Sequence, residues 1–134
     1  MHAVMVHGER TLTELDFARL SRLVDPQIAS PLADVLANAD VTSSRTVRAD
    51  VVTMNSRLQL VDVDSLSRQV LTLCYPQDAA PAAGFVSVLS PVGASLLGLT
   101  TGATARWHTP HGDECRATIE RIEHQPEAMG DYLT

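Results

Sequence analysis

His108 and His111 stand three apart, a spacing that two ligands of one metal ion can share. Pro110 lies between them, and no third Cys or His stands at a recognised ligand spacing. Ordinary histidines flanking a turn are therefore expected, and no metal. Asp62 and Asp64 straddle one residue and could act as an acid–base pair, but a solvated turn uses the same residues. Cys74 and Cys115 make no disulfide framework, and each sits in a strand-like run, where Cys serves as a small buried hydrophobe. No Gly-x-Ser-x-Gly elbow supplies a nucleophile. All ten basic residues are Arg and none is Lys, which excludes a lysine nucleophile, a Schiff base or a P-loop lysine. Gly93, Gly98 and Gly102 do not form a dinucleotide fingerprint. No nucleotide or other cofactor is expected from these positions.

The chain has 134 residues, enough for one domain or two very small modules with a working core. Hydrophobic residues make up 45% and charged residues 19%, an ordinary globular composition. Sixteen acids against ten bases give a net charge of −6, which argues against direct binding to nucleic acid. No apolar run approaches the ~18 residues of a membrane helix. Residues 1–10 lack the basic-then-apolar order of a signal peptide, so a cytoplasmic location is the expectation.

The elements follow from hydrophobic period. After an aperiodic lead-in over 1–10, Thr11 and Thr13 are N-cap candidates, with Glu14 and Asp16 three residues on. Leu12, Leu15, Leu20 and Leu23 form an apolar stripe that Asp25-Pro26 ends. Ser30-Pro31 starts a second helix, with Leu32, Val35, Leu36 and Ala39 on one face. The two are expected to form a short antiparallel hairpin over 1–46, followed by a polar linker at 40–49. The period then changes to two. Strands are expected at 51–61, 68–75, 85–89, 103–109 and 114–124, with a short helix at 92–97 behind Ser90-Pro91. Residues 126–134 read as a tail. Strands joined by short turns should pair antiparallel, so the class is α+β with a second module over 50–134.

One stretch, Ser90-Pro-Val-Gly-Ala-Ser-Leu-Leu-Gly98, has the residues of a capped short helix ending at a glycine. With Gly102 and Thr109-Pro-His-Gly112 it resembles the C-terminal domain of the bacterial transcript cleavage factors GreA and GreB. With Asp50-Val-Val-Thr-Met-Asn-Ser-Arg57 and Gln125-Pro-Glu-Ala-Met-Gly-Asp-Tyr-Leu133 it is more similar still to the regulators of nucleoside diphosphate kinase. The resemblance spans residues 50–134.

That resemblance implies an FKBP-like antiparallel sheet around one short helix. It also implies a partner, RNA polymerase, bound at the rim of its secondary channel through a docking loop. In Gre factors an acidic or amide residue precedes Ser-Pro in that loop; here Ser90, Pro91 and Val92 match, and Leu89 takes the polar position. Gre catalysis uses acids at a coiled-coil tip to hold a metal ion of the polymerase. The corresponding tip here, Asp25-Pro26-Gln27, offers one acid, and helices of about eleven residues reach only ~17 Å. Binding without cleavage is the expectation, hence a non-enzymatic regulator that competes with Gre factors. Nothing resembles a kinase active site. The alternatives are a weak cleavage factor and an FKBP-like peptidyl-prolyl isomerase. The second needs an aromatic cluster, and the chain has only Phe17, Tyr75, Phe85, Trp107 and Tyr132.

Overall fold

The computed structural model describes residues 10–133; the expected lead-in lies outside them except for Arg10. The fold is α+β, as expected. Strand β1 (Thr11–Thr13) leads directly into helix α1 (Glu14–Ser21), and the exposed loop 22–30 joins α1 to helix α2 (Pro31–Asn38). Strand β2 (Asp40–Thr42) follows and pairs parallel with β1. Thr13 caps α1, its hydroxyl accepting from the Asp16 N–H, and Ser30 caps α2 by accepting from the Ala33 N–H. Each helix has only eight residues, shorter than expected, because the Leu12 end of the stripe is strand.

A curled five-stranded sheet forms the rest. It holds β3 (Arg57–Asp62), β4 (Arg68–Cys74), β5 (Phe85–Ser87), β6 (Thr104–His108) and β7 (Glu114–His124), in the order β5-β4-β3-β7-β6. Helix α3 (Pro91–Leu96) lies between β5 and β6 in sequence. The β3–β4, β3–β7 and β6–β7 pairs are antiparallel, and two register shifts bulge β7 at Glu120 and Glu123 along β3. On the inner face Leu58, Leu60, Leu71, Leu73 and Ile119 are buried. The outer face carries the Arg57–Glu123 and Arg68–Glu120 ion pairs.

Three expectations need correction. The strand foreseen from Val51 starts only at Arg57. Ser56 donates its N–H back to Thr53, Asn55 takes a positive φ of 68°, and the Thr53 and Ser56 hydroxyls meet at 3.0 Å. The turn buries Thr53 and Ser56, so alternation alone misread it. Strand β5 pairs parallel with β4, not antiparallel. Two proline-led single turns, Pro76–Asp78 and Pro81–Ala83, carry the chain across, and Gly84 at φ 86° turns it into β5.

The polar stretch 40–49 is not a free linker. Its first residues are β2, and the Gln125 amide donates to the Arg48 and Val51 carbonyls just beyond. Leu20, Leu32, Val35 and Leu36 of the helices share one core with Met54, Leu58, Leu73, Leu96 and Ile119. The change of period therefore marks a change of element inside one core.

Candidate partner-docking site

Val88 is fully buried at the end of β5, whereas Leu89 is 46% exposed and Pro91 is exposed. Hydroxyls fix this bend. Ser87 accepts from the Leu89 N–H at 3.0 Å, while the Ser90 hydroxyl donates to the Ser87 carbonyl at 2.7 Å. The same Ser90 oxygen accepts from the Gly93 N–H at 3.1 Å, so Ser90 is the N-cap foreseen. Pro91 fills the first helical position, where its missing N–H costs nothing. Gly93 lets the helix lie on β5: a Cβ there would sit 2.1 Å from the Ser87 carbonyl oxygen.

The other end of α3 is held by a residue that sequence reasoning missed. The Arg10 guanidinium donates to the carbonyls of Ala94, Ser95 and Leu97 at 2.8 to 3.2 Å. A cation there satisfies end carbonyls and complements the helix dipole. No sequence signal links Arg10 to a helix more than 80 residues away.

Pro91 borders a groove of about 520 Å³ between α2, α3 and β6, with Arg10, Arg106 and Asp34 on its walls. Val92, half-buried, borders a second hollow of about 300 Å³ over the inner sheet face. Trp107 lines both. Ser90, Pro91 and Val92 thus sit together on a bend pinned at both ends: Ser90 turned inward as a cap, Pro91 outward, Val92 between.

The tip residues Asp25, Pro26 and Gln27 are exposed. Asp25 accepts from the Gln27 N–H at 2.9 Å, so its carboxylate closes its own turn. Leu23 and Ile28 flank it at 40% and 61% exposure. Among the described residues no three His, Cys, Asp or Glu are grouped to hold a metal. His108 ends β6 and His111 lies within the 109–113 turn; both are exposed. Asp62 accepts from the Ser65 and Asp64 N–H groups, which hold its carboxyl below the usual range, and Asp64 pairs with Arg116. Both serve a turn. Cys74 is buried, and burial with nearby Asp78 pushes its thiol up; Cys115 is half-buried and free.

Asp16 gives its N–H to the Thr13 cap as its spacing predicts, and its carboxyl is in addition a buried acid, 1% exposed. Its Oδ2 accepts from the Met54 N–H at 3.1 Å. Burial pushes its pKa up to about 6, with the Met54 amide opposing and Glu127 adding to the rise. The capping-box spacing is the same whether the acid faces out or in, so the sequence held no signal for this.

The capped bend and the curled sheet define a class. Residues 45–124 match the family described as transcription elongation factor, GreA/GreB, C-terminal, and the chain belongs to that family. It is 38% identical over 128 residues to the regulator of nucleoside diphosphate kinase of Escherichia coli K12, covering 91% of this chain and 94% of that protein. To transcription elongation factor GreA of Desulfovibrio desulfuricans it is 38% identical over 77 residues, 46% of that longer protein. Among solved structures, the transcription elongation factor GreA/GreB of Nitrosomonas europaea superposes with a TM-score of 0.70 at 32% identity. That match covers 87% of this chain and 98% of the other.

Proposed function

We propose that the protein is a cytoplasmic, non-enzymatic transcription regulator that binds RNA polymerase protein-to-protein. It docks at the rim of the secondary channel through Ser90, Pro91 and Val92 on an FKBP-like domain, and competes there with Gre-type factors without stimulating cleavage. The observation that carries the reading is the mounting of the bend. Leu89 and Pro91 are exposed apolar residues on backbone fixed by Ser87, Ser90 and Arg10. A preorganised apolar projection binds without the entropic cost of ordering a loop.

Absence of cleavage rests on the other end. Eight-residue helices extend only ~12 Å. The one acid at the tip, Asp25, already accepts the Gln27 N–H. A hard divalent cation held at a cleavage centre needs several well-placed oxygens.

Two assays test the reading. Pro91→Asp should abolish binding to purified polymerase while leaving the melting temperature nearly unchanged; binding at wild-type affinity would remove the loop as the contact. With a backtracked complex and magnesium, the protein alone should give no shortened transcript, and it should slow cleavage by an added Gre factor in proportion to its concentration. Dose-dependent cleavage lost on Asp25→Ala would instead make it a cleavage factor.

A further inference from the structure

We propose that the carboxyls of Asp16 and Glu127 form a proton-operated clasp. A proton on Asp16 keeps the C-terminal strap, residues 125–133, closed over α1 through Glu127, and its loss loosens the strap.

The two acids come from elements far apart in sequence and meet on neighbouring residues. Asp16, on α1, takes the N–H of Met54; Glu127, in the strap turn Glu127–Met129, takes the hydroxyl of Thr53 at 2.6 Å. Thr53 is 1% exposed and Ser56 fully buried, so both carboxyls approach a site from which water is largely removed. Among the described residues, the titratable groups that face Asp16 are Glu127 from the strap, Arg19 from its own helix and Tyr75 from the end of β4. Arg19 is the one cation among them, and its guanidinium also donates to the Leu133 carbonyl at 2.9 Å. The Tyr75 hydroxyl is buried beside Asp16 without a hydrogen bond of regular geometry. Two ionised acids in a site largely closed to water repel each other; one neutral acid does not.

The strap is anchored first at Gln125, away from the two acids. The Gln125 amide donates to the Arg48 and Val51 carbonyls at 2.7 and 2.8 Å. Beyond it lie the Thr53–Glu127 bond, the Arg45 guanidinium 4.7 Å from the Tyr132 ring centre, and the Arg19–Leu133 bond. Loosening therefore begins after Gln125 and frees Arg19 of α1 with it. The direction follows from the acid. Asp16 has an ordinary value of 3.8 unfolded and about 6 folded, so between these the folded state holds the extra proton. Stability falls as pH rises through that window, and the clasp is closed below about 6.

Amide exchange and shifts by NMR at about pH 5 and about pH 7.5, corrected for intrinsic rates, test this. The Gly130 and Asp131 amides, which bond back to the Glu127 and Pro126 carbonyls, should lose roughly tenfold protection on going to the higher pH. The Met54 amide shift should titrate with a midpoint near 6, the folded value of the acid it bonds. Asp16→Asn and Glu127→Gln should each keep the strap equally protected at both pH values. Equal protection in the wild type, or a pH-dependent loss that persists in either folded variant, overturns the clasp. Should Asp16→Asn not fold, the wild-type titration and Glu127→Gln decide.

Discussion

Gly93 joins α3 to β5 through an absence. A Cβ would lie 2.1 Å from the Ser87 carbonyl oxygen and 3.0 Å from the Val88 Cα, both backbone atoms that cannot swing aside. Gly93→Ala should therefore cost about 3 kcal/mol, at the top of the range for overpacked sites, and shift the bend that carries Pro91. Denaturant unfolding measures the cost; an unchanged midpoint would mean that α3 slides freely on the strand. At this scale the sequence was legible where chemistry is local. Ser90-Pro91 and Ser30-Pro31 announce helix starts, because a hydroxyl cap and a proline at the first position act within one turn. Asp16 and Arg10 were not legible, because their partners, Met54 and the α3 carbonyls, come near only after the chain has folded.

Among elements, α3 is short and depends on its ends. Six residues make too few internal hydrogen bonds to persist alone, so Ser90 and Arg10 hold it from outside. Ser90→Ala should cost about 1 kcal/mol, as lost N-caps do, and should weaken docking further by letting Leu89 and Pro91 move. Thermal unfolding and polymerase binding measured on the same variant separate the two effects; a full loss of fold would point to a larger role than capping. The strand at 114–124 has the ends its pattern predicts: Cys115, Ala117 and Ile119 alternate along it, and the shifts at Glu120 and Glu123 change the phase without ending it. Residues 51–56 alternate too, yet Asn55 and the Thr53–Ser56 hydroxyl pair turn them. The parallel β4–β5 pair was hidden because the crossover needs only two proline turns rather than a helix.

For the whole molecule, the helices and the sheet bury one another. Leu20 and Leu32 are 0% and 2% exposed within the core that Leu58 and Ile119 also fill. Unfolding should accordingly be a single transition, with calorimetric and van't Hoff enthalpies equal. Leu20→Ala should lower that one transition by roughly 2–5 kcal/mol, the usual cost of such a truncation. Two transitions, with only the first moved by the mutation, would show that the helices fold apart from the sheet. The switch of period at residue 50 separates the two longer helices from the five-stranded sheet, though β1 and β2 precede it and α3 follows it, and period reports how a segment is covered and not by which neighbour. The parallel β1–β2 pair carries one more consequence. The chain leaves the body at Thr13 and returns at Asp40, which pairs with Thr11, so exit and entry stand one three-residue ladder apart. Turns spliced in at the exposed 22–30 loop would lengthen the projection while leaving both thresholds in place. How far this protein reaches is thus a dimension that insertion and deletion can tune, generation by generation, without asking the core to be solved again.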